Sequence, residues 1–265
     1  MAKRKRRLRK LWIFKALAFI ALIIVRVPYL IYKGVILLAE LFTMLREVKL
    51  KPVPAKREKL KVVRSEAGKF SDFEKWLVES DSVIGIVVGA RGSGKTATGL
   101  RIVENIHALT KRPIYSIGLL NKALPRWIKN VDDISKIKNG SFVLIDEGGI
   151  FFSSRRSMSK VNKILSDLIL IARHKNLSIL FISQNSSNLD INILRQADFI
   201  ILKKPSLLQK DFERKIIRKI YEEIGRESKR FKNKAVFYVY SDLFRGFLSG
   251  KLPSFWSHKI SKSFA

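Results

Sequence analysis

The chain has 265 residues, of which 47% are apolar and 28% are charged, so it can form one sizeable globular core plus an appendage and is not a disordered chain. It contains no cysteine, which excludes disulfides, thiolate metal sites and cysteine nucleophiles. Its three histidines are scattered and form no metal-ligand cluster in the sequence. The formal net charge of +31 is concentrated at the ends: residues 1–64 hold 18 basic against 3 acidic residues, and residues 203–265 hold 16 against 6. Such ends favour contact with an anionic polymer or an anionic lipid surface, and solvated surface charge is the alternative.

Residues 1–10 form a basic tail, and residues 11–45 are mostly apolar. No charge-free stretch reaches the ~18 residues of an unambiguous spanning helix. Four charged residues interrupt the apolar segment at spacings that place them on one stripe of a helix: Lys15, Arg26, Lys33 and Glu40. Basic residues flank the segment on both sides, which favours a cytoplasmic location for both flanks. We therefore predict a membrane-associated helical hairpin bent near Pro28 or an interfacial helix, with a single-pass anchor as the alternative.

A basic linker is predicted over residues 46–65, which contain two prolines and little periodicity. We expect the globular domain to occupy residues 66–245. Residues 246–265 form a tail whose role the sequence does not indicate. With both flanks of the apolar segment on the cytoplasmic side, this domain is predicted to be cytoplasmic, at a host membrane if the protein is viral.

The motif GARGSGKT, residues 89–96, lies between an apolar run at 83–88 and a helical pattern at 96–110. It fits G-x-x-x-x-G-K-[ST], the Walker A phosphate loop. Its glycines allow backbone N–H groups to curl around phosphate oxygens, its lysine reaches the β- and γ-phosphates, and its threonine ligates Mg²⁺. The predicted nucleotide-binding residues are Gly89, Ala90, Arg91, Gly92, Ser93, Gly94, Lys95, Thr96 and Ala97.

A second apolar run, SFVLIDEGG at residues 141–149, ends in two adjacent carboxylates. Asp146 has the position of a Walker B aspartate, which holds the magnesium shell together with Thr96. Glu147 is placed to polarise the attacking water, which indicates an ATP-hydrolysing enzyme rather than a small-molecule kinase or a GTPase. The sequence therefore predicts ATP and Mg²⁺ as cofactors, with Glu147 and Lys95 as catalytic residues.

A third apolar run, LSILFISQNSS at residues 177–187, ends in Gln184 and Asn185. We expect Gln184 to act as a sensor of the γ-phosphate or the attacking water. Further strands are predicted at 113–117 and 198–202, and helices at 157–175 and 189–196. This alternation predicts an α/β fold of the P-loop NTPase type, with a mostly parallel sheet of the RecA-like, additional-strand kind and helices on both faces. Its site lies at the carboxyl ends of the strands.

The stretches GARGSGKT, FVLIDEGG, LILIARHKNLSILFISQN and ILRQADFIILKK occur in this order. They resemble the HerA/FtsK superfamily of P-loop ATPases, in particular its zonula occludens toxin-like branch and the related viral genome-packaging ATPases. The resemblance covers about residues 80–205. It implies ring-forming, often hexameric ATPases that move DNA or extrude virions at a membrane. In the toxin-like branch the membrane segment follows the ATPase domain, whereas the apolar segment of this chain precedes it.

Ring ATPases need a cation from the neighbouring subunit to neutralise charge on the γ-phosphate. We favour Arg173, in the stretch IARHKN, for this role. Arg155 and Arg156 are alternatives, and both could instead belong to a pore loop that grips phosphates. A helix C-terminal arginine such as Arg173 can also simply complement the helix dipole.

Near the C-terminus, five apolar residues share one face of a predicted helix that should pack on the ATPase core: Leu208, Phe212, Ile216, Ile220 and Ile224. Residues 235–244 are predicted to form a late strand at the sheet edge. The predicted function is a membrane-associated ATP-hydrolysing motor that translocates or packages DNA as a homo-oligomeric ring. The alternative is an ATPase that drives virion assembly, extrusion or secretion and acts on protein. A nucleotide-gated anchor without hydrolysis is a third hypothesis, and Glu147 argues against it.

Overall fold

The computed structural model describes residues 26–39, 53–119, 124–147, 158–231, 233–257 and 260. The chain divides into two compact units, residues 1–52 and residues 53–265. In the first unit, residues 26–39 form helix α1, which includes Pro28 and leaves most of its apolar side chains exposed. None of the helices in the described part of the chain is long and apolar enough to cross a membrane. The predicted basic tail and most of the predicted hairpin lie outside the described residues.

The second unit is built on a nine-stranded sheet in the order β1-β9-β8-β7-β2-β6-β5-β3-β4. Its strands are β1 (Lys61–Gly68), β2 (Ile84–Val88), β3 (Ile114–Ile117), β4 (Ile128–Asn130), β5 (Phe142–Asp146), β6 (Ser178–Ile182), β7 (Phe199–Leu202), β8 (Val236–Ser241) and β9 (Phe244–Ser249). The six strands from β7 to β4 run parallel, and β1, β9 and β8 add an antiparallel side. The predicted strands at 83–88, 113–117 and 198–202 correspond to β2, β3 and β7.

Helices cover both faces of this sheet, as predicted. They are α2 (Phe70–Glu79), α3 (Lys95–Thr110), α4 (Met158–Ala172), α5 (Ile191–Arg195), α6 (Leu207–Phe212), α7 (Lys215–Glu223) and α8 (Gly225–Arg230). Alternate residues of β2 enter two separate apolar clusters, since Ile86 packs on the face of α4, α5 and α7 while Val87 packs on the face of α2 and α3. Because both faces are covered, the central strands are continuous apolar runs rather than alternating ones.

One prediction about the C-terminal part is wrong, and another is correct only in part. The single helical face over residues 208–224 does not form, because the chain breaks into α6, α7 and α8; Leu208 and Phe212 are 75% and 69% exposed, whereas Ile220 and Ile224 are buried. The break follows from Glu213, which is buried between α6 and α7 and accepts a hydrogen bond from the backbone N–H of Ser186 at 2.7 Å.

The strand predicted at residues 235–244 forms as β8, but it ends at Ser241 and does not lie at the sheet edge. The chain turns after β8 and returns as β9, and this hairpin extends the sheet. The predicted domain limits, residues 66–245, are narrower than the sheet because β1 begins at Lys61 and pairs with β9, which ends at Ser249. This pairing joins segments about 180 residues apart, so no local pattern indicates it.

A polar stripe on α3 fastens two irregular segments to the core. Glu104 is fully buried; it accepts backbone hydrogen bonds from Lys56 and Ser254, both at 3.0 Å, and pairs with Arg101 at 2.9 Å. Asn105 exchanges two hydrogen bonds with the backbone of Glu58, at 2.9 and 2.8 Å. The helix that starts at the glycine-rich loop therefore also holds the segments before β1 and after β9.

Replacing Glu104 by Ala should lower the free energy of unfolding by about 3–5 kcal/mol, because it leaves the Arg101 guanidinium buried without its counter-charge. Chemical denaturation of the full chain measures this loss. The matched control is Glu79→Ala at the exposed end of α2, which should change stability by less than about 0.5 kcal/mol. Equal effects of the two substitutions would show that the stripe does not fasten these segments.

Candidate functional site

The glycine-rich loop connects β2 to α3, as the sequence predicts, and three of its glycines, among them Gly92, have a positive φ that favours glycine. Gly94, immediately before α3, has φ +92°, and Gly89, immediately after β2, has φ +151°. A Cβ at Gly89 would also lie 2.6 Å from the Cβ of Lys203, which follows β7. The loop therefore passes close over the end of β7 before the first N–H groups of α3, which have no partner within the helix.

Lys95 is folded into this loop. Its side chain is 8% exposed, and its Nζ donates hydrogen bonds to the carbonyl oxygens of Gly89 at 2.7 Å and Ala90 at 2.9 Å. Burial lowers the pKa of Lys95, and the carboxylates of Asp146, Glu147 and Glu213 oppose that shift. The ammonium thus lies at the mouth of the loop among three acidic groups.

Thr96 and Asp146 form the contact between the loop and β5. The Thr96 hydroxyl donates a hydrogen bond to Asp146 Oδ2 at 2.8 Å. The pair exists because β6 lies between β2 and β5 and pairs in parallel with both, so the carboxyl ends of all three strands meet at one edge. A hydroxyl and a carboxylate are hard oxygen ligands of the kind that Mg²⁺ prefers, so these two residues fit a magnesium ion.

Glu147 is 3% exposed and is held by the segment that follows β6. Its Oε2 accepts hydrogen bonds from the Ser183 hydroxyl and from the backbone N–H of Gln184, the latter at 3.2 Å. Its Oε1 accepts a hydrogen bond from the Asn188 side-chain amide at 3.2 Å. The side chain of Gln184 is exposed, so it is the backbone of the predicted sensor that contacts Glu147.

Arg173 lies away from the site of its own chain. It follows α4 and precedes β6, which places it at the amino end of the parallel strands, opposite the edge that carries Lys95 and Asp146. Its role as a cation supplied to a neighbouring subunit stays a prediction. Arg155 and Arg156 lie outside the described residues.

A cavity of about 370 Å³ opens beside the loop, on the side of β7 and β8. Residues 90–93 form one wall, and Lys203 and Lys204 form another. Aromatic side chains complete it, among them Tyr221 and Phe247. A cavity of this size, lined by aromatic and aliphatic side chains and by several basic residues, suits a small organic ligand that carries negative charge, such as a nucleotide.

The family model of the zonular occludens toxin (Zot) matches residues 83–241, which include every strand of the parallel core. The chain belongs to the Zot family. The resemblance predicted from the sequence motifs is thereby confirmed. No curated protein matches this Zot-family chain.

Among solved structures, this Zot-family protein is similar to the genome-packaging NTPase B204 from Sulfolobus turreted icosahedral virus 2 in complex with sulfate, with 16% identity, a TM-score of 0.47, and coverage of 65% of this chain and 98% of that one. It is also similar to EssC (ATPases 2 and 3) from Geobacillus thermodenitrificans, with 14% identity, a TM-score of 0.41, and coverage of 81% and 50%. The N-terminal domain of zonular occludens toxin from Neisseria meningitidis matches with 19% identity, a TM-score of 0.30, and coverage of 46% and 76%.

Several buried polar residues of this Zot-family site were missed by sequence reasoning. Ser183 and Asn188 hold Glu147, and Glu213 holds the same segment from the other side through Ser186 and the Gln209 amide, at 2.7 and 2.8 Å. Serine and asparagine after a strand are ordinary turn residues, and Glu213 lies in a stretch that reads as a helix. In the sequence, only the polar run after β6 indicates that this segment belongs to the site.

Two glycine substitutions in the loop should differ in their effect on stability. Gly89→Ala forces a Cβ against Lys203, including the Lys203 backbone at 3.0–3.1 Å, and should lower the unfolding free energy by about 2–4 kcal/mol. Gly92→Ala is the control, because Gly92 has φ +73° but no atom within 4 Å of the added Cβ, so it should cost about 1–2 kcal/mol of backbone strain. Thermal unfolding without nucleotide measures both, and a larger loss for Gly92→Ala would contradict the close packing of Gly89 on Lys203.

Proposed function

We propose that the protein is a membrane-associated ATPase motor that translocates or packages DNA. The observation that carries the ATPase assignment is the convergence of Lys95, the Thr96–Asp146 pair and the buried Glu147 at one edge of the sheet. Membership of the Zot family and the structural likeness to packaging NTPases agree with this assignment.

Each residue has a distinct part in the proposed hydrolysis. The N–H groups of the loop and the start of α3 bind the phosphates, and the Lys95 ammonium moves from its two carbonyl partners to the β- and γ-phosphate oxygens. Thr96 and Asp146 would hold Mg²⁺, which when bound neutralises phosphate charge. The Oε1 of Glu147 accepts only the Asn188 amide among the described residues, so this oxygen can also accept the hydrogen bond of the attacking water.

The proposal that DNA is the cargo rests on charge. The net charge of +31 is concentrated toward the two ends of the chain, and a basic excess of this size favours a polyanion. Membrane association is proposed from the apolar segment 11–45, within which α1 exposes Leu30, Leu37 and Leu38 by 63–69%. A ring of identical subunits, with Arg173 supplied to the neighbouring site, is part of the same proposal.

Lys95→Ala should abolish ATP binding, and Glu147→Gln should bind ATP but hydrolyse it about 10²–10⁴-fold more slowly, because it loses the group that accepts the proton of water. Single-turnover hydrolysis and nucleotide binding by the full chain in detergent separate the two effects. Exposed residues of the same types serve as controls: Lys129→Ala and Glu79→Gln should behave as the unmodified chain. Normal hydrolysis by Glu147→Gln would remove Glu147 from the mechanism.

Duplex DNA should stimulate hydrolysis, and DNA affinity should fall steeply between low and moderate salt because counterions are released from the phosphates. The steady-state ATPase rate, measured with duplex DNA and separately with anionic vesicles that lack DNA, tests the cargo. Stimulation by vesicles or a protein partner, with indifference to DNA, would instead favour the alternative of virion assembly or secretion.

A further inference from the structure

Lys203 is a buried lysine that the proposed mechanism does not use. It follows β7 and is 2% exposed. Its backbone is fixed on two sides, because its N–H donates to the Val88 carbonyl at 2.8 Å and its carbonyl accepts from the Tyr221 hydroxyl at 3.0 Å. The register of β7 against β2 therefore determines the backbone position of Lys203.

The Lys203 side chain runs along the phosphate loop. Its Cβ would be 2.6 Å from a Cβ at Gly89, and its Cε and Nζ would each be 3.8 Å from a Cβ at Gly94. The side chain thus passes from the first glycine of the loop to the last. The Lys203 side chain and its charge therefore lie against the phosphate loop along its length.

The ammonium of Lys203 has no acidic partner among the described residues. Its Nζ donates to the carbonyl oxygens of Lys234 and Val236, the latter at 3.1 Å, and lies 5.7 Å from the centre of the Phe237 ring. Carbonyl oxygens replace part of the lost hydration but do not neutralise the charge, so a buried cation held this way remains costly. Burial, and then repulsion from Lys95, lower the pKa of Lys203 to about 8.

We propose that Lys203 is a second cation of the phosphate site, and that the triphosphate of a bound nucleotide supplies the negative charge that this lysine lacks. The inference rests on the proposed binding of ATP at the loop. Lys203 is a positioning residue: it acts on the phosphates through the loop that it supports, and Lys95 contacts them directly. Removal of its charge should weaken the binding of any polyphosphate, whether or not a nucleoside is attached.

This arrangement predicts that the binding of phosphate changes the protonation of Lys203. The titratable or charged residues around Lys203 come from the loop, from the segment before β8, from β8, from α7 and from its own neighbour: Arg91, Lys95, Lys234, Tyr238, Tyr221 and Lys204. None of these is an acid, and burial raises the pKa of Tyr221. Because bound phosphate favours the charged lysine, affinity should fall as the pH rises through about 8, and binding above that pH should take up protons.

The experiment uses two substitutions of Lys203 in the full chain. Lys203→Met removes the charge and keeps an unbranched side chain, and Lys203→Arg keeps a charge that does not titrate below pH 12. Calorimetry with ATP, inorganic triphosphate and adenosine, in buffers of different ionisation enthalpy, gives affinities and proton uptake at pH 7 and pH 9. Lys129→Met, on the exposed surface of β4, is the matched control.

At pH 7, Lys203→Met should bind ATP and triphosphate about tenfold more weakly than the unmodified chain, and adenosine, which carries no phosphate, should lose less affinity than triphosphate. At pH 9, proton uptake should be smaller in Lys203→Arg than in the unmodified chain. Unchanged triphosphate affinity in Lys203→Met together with unchanged uptake in Lys203→Arg would overturn the proposal. If Lys203→Met does not fold, the proton uptake of Lys203→Arg decides alone. A Lys95→Ala variant that still binds ATP normally would instead refute the nucleotide site itself.

Discussion

The register of four parallel strands determines where every group of the site lies. In β7, β2, β6 and β5, Leu202 is paired with Val88, Val87 with Ile182, and Ile182 with Asp146. The residues just past these pairs are therefore at the same level of the sheet edge, which brings the loop and Ser183 beside the acids and places Lys203 on the other side of the loop. A shift of one residue in any of these strands would turn its side chains to the opposite face and separate the groups.

Two buried carboxylates fix the segment that follows β6. Glu147 holds it from the side of β5 through Ser183 and Asn188, and Glu213 holds it from the side of α7 through Ser186. A buried carboxylate without donors is costly, so each acid constrains the backbone that supplies its donors. The segment thus links the acid proposed to orient water with the turn between α6 and α7, next to helix α6, whose Leu208 and Phe212 are exposed.

Sequence reasoning located what depends on local pattern. The apolar runs of β2, β5 and β6, the glycine loop and the Asp146–Glu147 pair are each contained in a short stretch, because a phosphate loop and a metal ligand need fixed residue types at fixed spacing. It failed where distant segments decide the structure. The break at Glu213 depends on Ser186, and the pairing of β1 with β9 joins opposite ends of the domain. Lys203, written in the sequence as part of LKKPS, is indistinguishable from a surface lysine until the loop is placed against it.

Charge is divided across β2. Asp146, Glu147 and Glu213 lie on the side of β5 and β6, whereas Lys203 and the cavity lie on the side of β7 and β8. If the loop binds ATP as proposed, the β- and γ-phosphates should lie near Asp146, because a Mg²⁺ ion bound to them would need its carboxylate oxygen. The nucleoside then extends toward the cavity, past a lysine whose charge attracts the phosphates. The same strand order that creates the loop therefore also gives the nucleotide its direction.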